Sequence, residues 1–404
     1  MPDKYRPNSE VIVVGGGPVG LTAAVTLAEG GVATKLAGKR PTSTDNRTTA
    51  LLAGSVTALE TLGVWQSRSD RAAPLRTMRI VDDTGRLWRA PEIKFDSTEI
   101  GLDAFGYNIE NRFLVEALEQ RARSLPKLQI IEKEVVSVEP QSDCIAVKLK
   151  DGETFGAQLV IGADGRHSIC RAAAAIKMDE RRYPQVALTL CLTHTRPHHD
   201  TSTEFHTPSG PFTLVPLPGN RSSLVWVLDS TAADELAVLD SEALALEVER
   251  GSHSILGKIE VEPNRGLFPL SVATVRRFAD RRISLAGEAA HVIPPIGAQG
   301  LNLGLRDAAT IGELVVSAQR KGRDIGAADV LTRYDQMRRA DVGSRTLAID
   351  FLNRTLLSDF LPVQGARGLG LYLLDRIGPL RRAVMREGVA PAAAQPRLMR
   401  GEAL

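Results

Sequence analysis

The stretch from Val11 to Glu29 constrains the fold most. Val11-Ile12-Val13-Val14 is a continuous apolar run, as a strand covered on both faces requires. It passes directly into Gly15-Gly16-Gly17-Pro18-Val19-Gly20, and Leu21 to Glu29 reads as a helix. G-x-G-x-x-G means little alone. Between a buried strand and a helix it is the turn of a βαβ unit that binds a dinucleotide. Gly15 allows the turn, Gly17 lets the backbone approach a pyrophosphate, and Gly20 lets the helix pack on the strand. An ordinary glycine-rich βα turn is the plain alternative.

The second predicted strand is Ala33 to Leu36. An acidic residue is expected near its end for the adenosine ribose, about 20 residues beyond the loop. Ala37, Gly38, Lys39 and Arg40 stand there instead. Either other groups hold the ribose, or Lys39 and Arg40 face a 2′-phosphate.

Two later stretches also end a strand on glycine. Leu159-Val160-Ile161-Gly162-Ala163-Asp164-Gly165 puts Asp164 at a carboxyl end of the sheet, where ligands bind in such folds. Ser168 is placed to begin the next helix. Ile283-Ser284-Leu285-Ala286-Gly287-Glu288 reads as a short buried strand and a turn. A Pro/Gly loop through Pro295 and Gly297 follows, then a long helix from about Gly300. Leu301, Leu305, Ala308, Ile311 and Leu314 form its apolar stripe. A helix N-terminus behind a loop free of bulk suits a flat, polar ligand.

Between these sites, Asp45 to Leu51 leads into a helix near Ser55 to Leu62. Arg47 is either a solvated loop charge or a cation beside a pyrophosphate. Thr77 to Asp82 and Leu87 to Ala90, around Asp83-Thr84-Gly85, read as a hairpin that belongs to another sheet. Asn111 is expected to cap a helix from Phe113 to Ser124. Arg112 in its first turn is unfavourable for the helix dipole, so it reads as an anion ligand or an exposed charge. Strands are expected at Leu128 to Ile131, Val135 to Val138, Ile145 to Leu149 and Thr154 to Leu159.

From Gln185 to Val275 alternating strands take over, at Val186 to Thr193, Ser202 to His206, Pro211 to Leu217 and Ser223 to Leu228. Two helices follow near Thr231 to Leu239 and Ser241 to Arg250, and Phe268 to Val275 returns to the first domain. His194, His198, His199 and His206 lack acidic or cysteine partners at ligand spacing, so no metal is expected. Phe205, His206, Phe212, Leu214 and Pro216 are candidates for a substrate pocket.

The chain has 404 residues, 43% hydrophobic and 24% charged, which is ordinary for a globular protein with room for two domains. A net charge of +2 gives no reason to expect nucleic acid. Three scattered cysteines argue against a disulfide framework and fit a reducing cytoplasm. Met1 to Glu10 is polar and reads as no signal peptide, and no apolar run has the length of a membrane span.

In this order the loop Gly15 to Gly20, the segment Gly162 to Gly165 and the segment Gly287 to Asn302 look like the class A flavoprotein monooxygenases, the para-hydroxybenzoate hydroxylase superfamily. Arg47 to Leu51, Ile109-Glu110-Asn111-Arg112 and Gly300 to Asp307 resemble the ubiquinone-biosynthesis hydroxylases of the UbiH/VisC type. Ser202 to Thr207 and Gly210 to Leu217 look similar to an alphaproteobacterial branch. The resemblance covers about Val11 to Arg345. It implies an α/β fold: a FAD-binding Rossmann-like domain (1–183 and 276–345, the hairpin near 77–90 joining the other sheet), an inserted, mostly antiparallel substrate domain (184–275), and C-terminal helices and tail (346–404).

For the site, the resemblance implies that Gly15, Gly17, Pro18, Val19, Gly20, Arg47 and Arg112 hold the FAD diphosphate. Asp164 and Gly165 would serve the flavin and passing NAD(P)H. Gly287-Glu288 replaces the family's Gly-Asp, one methylene longer. Pro295, Gly297, Gly300, Leu301 and Asn302 would lie against the isoalloxazine. The implied reaction is oxygen transfer from a flavin C4a-hydroperoxide, made with O2 and a reductant such as NAD(P)H, to the ring of a polyprenyl phenol. Acid–base residues stay unassigned; His206 and His291 read first as structural. An epoxidase or prenyl reductase on the same scaffold, or a non-catalytic flavin-binding subunit among other ubiquinone-biosynthesis proteins, are the alternatives. The halogenase Trp-x-Trp motif is absent.

From Thr346 to Val389, two apolar helical segments carry Arg367, Arg376, Arg381, Arg382 and Arg386, which suits an anionic membrane interface. Packing on the protein is the alternative. The expected location is therefore cytoplasmic, with peripheral contact at the inner membrane surface. Ala390 to Leu404 is expected to be disordered.

Overall fold

A computed structural model describes residues 9–39, 47–85, 89, 91–295, 297–357, 370, 376–389 and 395–404, with the backbone alone over 347–357. Its helices are α1 (Pro18–Glu29), α2 (Ala53–Thr61), α3 (Asn111–Ser124), α4 (Ile169–Ala173), α5 (Ser230–Ala237), α6 (Ser241–Gly251), α7 (Gln299–Arg320), α8 (Ala328–Leu357) and α9 (Gly378–Val389).

Among the described residues the first sheet has eight strands. Its centre is parallel. Ser9–Val14 lies between Thr34–Ala37 and Thr154–Gly162, and Ile283–Leu285 continues on the far side of the latter. The apolar runs read from the sequence become fully buried strands, because α1, α3 and α7 cover them. α1 itself is buried nearly all round, with Leu21 to Ala28 inside. The carboxyl ends of Ser9–Val14, Thr154–Gly162 and Ile283–Leu285 therefore share one edge, and each opens into one of the glycine-rich segments.

A second sheet of nine strands is antiparallel except where Thr201–Thr207 runs parallel to Thr77–Asp82. α5 and α6 cover one of its faces and enclose Leu188, Phe205, Phe212 and Leu244. Its longest strand, Met178–His194, pairs with both Arg221–Asp229 and Gly266–Val275. A third sheet, Thr48–Leu52, Gly106–Glu110 and Ala72–Pro74, bridges the two.

Several expectations need correction. Thr77–Asp82 pairs with Ile93–Asp96, and most of the expected return strand, residues 87, 88 and 90, lies outside the described residues. Glu110, not Asn111, is the N-cap of α3, and the Asn111 side chain accepts a hydrogen bond from Thr49 Oγ1. The loop after Gly287 starts as a short helical turn, Gly287–Ala289, and a two-residue strand, His291–Val292. The chain end is not a free tail over 395–404. Leu398 and Met399 are buried against α2 and α7, and the Arg397 N–H donates to Glu313. Composition hid this, because two apolar side chains in a Pro/Ala/Arg background suffice when a groove awaits them. Met399→Ala should therefore cost about 2–5 kcal/mol, seen as a lower Tm with far-UV circular dichroism unchanged. An unchanged Tm would return this segment to the status of a free tail.

Candidate functional site

The three glycine segments meet. Gly15 adopts φ +121°, and a Cβ on it would lie 2.2 Å from the Ala163 carbonyl oxygen. A Cβ on Gly20 would lie 1.9 Å from the Gly15 oxygen. These glycines are thus required by close approach of protein to protein. Gly17 and Gly300 differ: a Cβ at either would meet nothing within 4 Å among the described residues. Among those residues, open space stands in front of both.

That space lies at two helix ends. Val19 packs on Gly304, Thr26 on Gly312, and Val316 on Gly30. The contacts ascend together along both chains, so α1 and α7 run parallel. Neither helix has a side-chain cap: Gly17 caps α1 and Ala298, at φ +54°, caps α7. Two sets of orphan N–H groups and two positive dipole ends therefore point the same way. From the Val19–Gly304 level, α7 reaches about 6 Å further than α1, at 1.5 Å per residue. Staggered, uncapped ends of this kind fit a long ligand with an anionic middle and a polar far edge.

The N-terminus of α7 is fixed by Asn302. Its Oδ1 accepts from Leu52 N–H at 2.9 Å and its Nδ2 donates to Ala50 O at 2.8 Å. Leu301 is half-buried, while Pro295, Gly297 and Gly300 are exposed. Glu288 is exposed too, and makes no hydrogen bond among the described residues. Both Asp164 oxygens are engaged locally, by Ser168 Oγ at 2.6 Å and Cys170 N–H at 3.1 Å. Gly165, at φ +81°, has nothing within 4 Å of an added Cβ.

Arg47 and Arg112 are neighbours, since the Asn111 N–H donates to Arg47 O. The Arg47 guanidinium lies 5.8 Å from the Phe268 ring centre. Arg112 pairs with buried Glu110 at 2.7 Å, which Arg221 also contacts. Lys39, at the position where an acid was expected, pairs with Glu134 at 2.9 Å; Arg40 lies outside the described residues.

The expected substrate pocket divides. Phe205, Phe212 and Leu214 belong to the core under α5 and α6. Their neighbours in sequence must face the other way, because strand side chains alternate. That opposite face carries Glu204, His206, Thr213 and Ser223. His206 Nε2 lies 2.8 Å from Glu204, and its buried Nδ1 has no partner. Burial alone would push the Glu204 carboxyl up, but His206 and Thr213 hold it below its ordinary range. Pro216 follows the Phe212 face by alternation, and its carbonyl accepts from Asn108. Ser223 and Thr48 hydrogen-bond at 2.9 Å, which ties this inner face to the strand that Asn302 grips. Of the histidines near 194–199, His194 bonds Arg196 O and Ser222 Oγ and His198 bonds Leu217 O, while His199 is exposed.

One cluster was not singled out from the sequence. Asp307, fully buried, accepts from Gly287 N–H at 2.8 Å and Arg338 Nε at 2.5 Å, and pairs with His291 Nε2 at 2.7 Å. Arg338 continues to Asp341, which also binds Arg306 and Arg345. The available signal was an aspartate inside the apolar stripe of α7.

Comparison with known proteins agrees. A FAD binding domain family matches residues 8–347. "Ubiquinone hydroxylase UbiL" of Rhodospirillum rubrum is 36% identical over 97% of this chain and 93% of its own. "3-demethoxyubiquinol 3-hydroxylase" of Escherichia coli is 30% identical over 94% of this chain and 97% of its own. Among solved structures, p-nitrophenol 4-monooxygenase PnpA of Pseudomonas putida shares the fold, with TM-score 0.78 at 19% identity over 96% of this chain and 99% of that one. With three glycine segments meeting before two uncapped helix ends, the chain belongs to the class A FAD-dependent monooxygenases of the para-hydroxybenzoate hydroxylase superfamily, in their UbiH/VisC-type branch.

Proposed function

We propose that this chain hydroxylates the aromatic ring of a polyprenyl phenol in ubiquinone biosynthesis, using O2 and a reductant such as NAD(P)H. The names of the two relatives above support the pathway. The observation that carries the reading is the Asn302–Ala50/Leu52 and Thr48–Ser223 connection. It sets the N-terminus of α7 against the inner face of the second sheet, where polar Ser223 stands on the same face as apolar Val225 and Val227 and a ring could lie beside the cofactor.

FAD, when bound, supplies electron storage and O2 activation. The protein's own part is binding, orientation and exclusion of water. Gly15, Gly17, Pro18, Val19 and Gly20 would receive the diphosphate on the N–H groups of α1, with Arg47 and Arg112 adding charge. Gly287, Glu288, Asp164 and Gly165 would line the middle of the cofactor. Pro295, Gly297, Gly300, Leu301 and Asn302 would face the flavin, and the dipole of α7 favours negative charge there. In this reading 1–183 and 276–345 hold the cofactor, while 184–275 with Thr77–Asp82 covers the substrate.

Gly300→Val tests the cofactor placement cleanly, because the added side chain meets no atom of the described residues within 4 Å at Cβ. FAD occupancy should fall sharply while the Tm of the cofactor-free protein stays within about 2 °C. Full occupancy with full turnover would remove Gly300 from the site. For the reaction, purified protein with non-covalently bound FAD, NAD(P)H and a short-chain polyprenyl phenol under 18O2 should give product carrying one labelled oxygen. Unlabelled saturated product would favour a prenyl reductase, a labelled epoxide on the chain an epoxidase, and reduced flavin without product a scaffold subunit.

The same reading places the enzyme at a membrane surface. Among the described residues no helix is long and apolar enough to cross one. α9 and the residue before it instead expose Ile377, Leu380 and Val384, each more than 40%, with Arg382 and Arg386 nearby. Its other face packs Met385 and Val389 into the protein, and Arg381 is committed to Glu99 at 2.6 Å. Arg367 and 371–375 lie outside the described residues. Leu380→Asp with Val384→Asp should abolish co-sedimentation with anionic liposomes at low salt and leave the fold intact. Equal sedimentation of variant and wild type would leave the stripe as a docking face for another protein of the pathway.

A further inference from the structure

We propose that the Asp307 cluster is a clamp that fixes both ends of the cofactor loop, 287–299, and so positions the FAD. The inference rests on FAD binding alone, not on the substrate. At one end, Asp307 Oδ2 holds the Gly287 N–H at 2.8 Å and His291 Nε2 at 2.7 Å. Gly287 sits at φ +61°, wedged against Val19 and Gly304, and it directly precedes Glu288. At the other end, Arg345 Nη1 donates to Gln299 Oε1 at 2.9 Å, on the first residue of α7. The two ends join through side chains that are mostly buried. Asp307 binds Arg338, Arg338 binds Asp341, and Asp341 binds Arg345 and Arg306. Between the gripped ends, Pro295 and Gly297 are exposed toward the open space.

A buried ion pair is weak evidence for stability, since apolar side chains of similar volume often do as well. What the cluster offers instead is geometry. Asp307 stands on the same helix whose N-terminus faces the cofactor, one turn beyond Gly304. Its carboxylate receives groups from the end of Ile283–Leu285, from the loop and from α8 at once. Arg338 in turn hangs from α8, so the loop is referenced to two helices rather than to itself. His291, Asp307 and Arg338 are positioning residues: they act on the cofactor through Gly287 and Gln299.

The test separates positioning from bulk stability by measuring the FAD Kd, from flavin fluorescence quenching, at a temperature where circular dichroism shows each variant folded. His291→Leu breaks one grip and should raise the Kd about tenfold or more. His291→Gln, whose amide can still donate to Asp307, should stay within about threefold. His291→Asn, too short to reach, carries the same expectation as His291→Leu should the latter not fold. Arg345→Met frees the Gln299 end and should also raise the Kd. Tyr334→Phe is the control, because it deletes a buried hydrogen bond to Leu285 O at 2.8 Å without touching the clamp. Its Kd should match wild type despite a lower Tm. The proposal is overturned if folded His291→Leu or His291→Asn binds FAD as wild type does, or if Tyr334→Phe weakens FAD as much as they do.

Discussion

The rest of the structure depends on two helices lying side by side, parallel, at glycine distance. Gly304 and Gly312 of α7 admit Val19 and Thr26 of α1, and Gly30, just past α1, admits Val316. Parallel neighbours put like dipole ends together, which is mildly unfavourable for the empty protein. Capping side chains would relieve this, and both helices lack them. A ligand that brings negative charge would resolve the arrangement, and a dinucleotide has the length to do so along the stagger. The sheet follows from the same demand, for each glycine segment must leave a strand at the edge where these helices begin.

That part of the architecture was legible in the sequence because its causes are local. A buried apolar run, three spaced glycines and a helix can be read from adjacent letters, and so can Gly287 to Asn302. What escaped reading depended on partners far along the chain. Asp307 meets His291 at a separation of 16 residues and Arg338 at 31. Arg112 reads as an anion ligand or an exposed charge until distant Arg221 is seen sharing Glu110 with it. Leu398 and Met399 show their use only once α2 and α7 form a groove. The substrate pocket failed for a different reason. Phe205 and His206 are adjacent, so a strand cannot present both to one ligand, and alternation alone could have separated them. Which face the helices would cover was the information missing.

The inner face of the second sheet gains its meaning from what it touches. Asn108 donates to both Pro216 O and Ser223 Oγ, and Thr48 shares that hydroxyl. Asn302 then holds the same strand, Thr48–Leu52, from the cofactor side. Two carboxamides and two hydroxyls thus set the distance between the cofactor helix and the sheet. Farther along that face, Glu204 and His206 form a pair whose second ring nitrogen is unspent. The same face carries the apolar cluster of Ala187, Val227 and Leu270, so it offers both polar and apolar contacts, whereas the opposite face under α5 and α6 is mostly aromatic and aliphatic.

The C-terminal elements close the arrangement from the remaining side. A narrow cleft beside the start of α7 is lined by Leu52, Gln299, Asn302 and Arg306 on one wall. Val389 of α9 and Met399 form the other. The helix that exposes Leu380 and Val384 outward is thus the one whose Val389 lines the cleft at the start of α7. On the α7 side of the cleft, Arg306 touches Met399 Sδ and shares Asp341 with Arg338 and Arg345. Burial tends to lower the Arg306 pKa and Asp341 opposes that, so the charge is held by its partner rather than by water. Arg306 thus joins the C-terminal segment to the Asp341 ion pairs behind the start of α7.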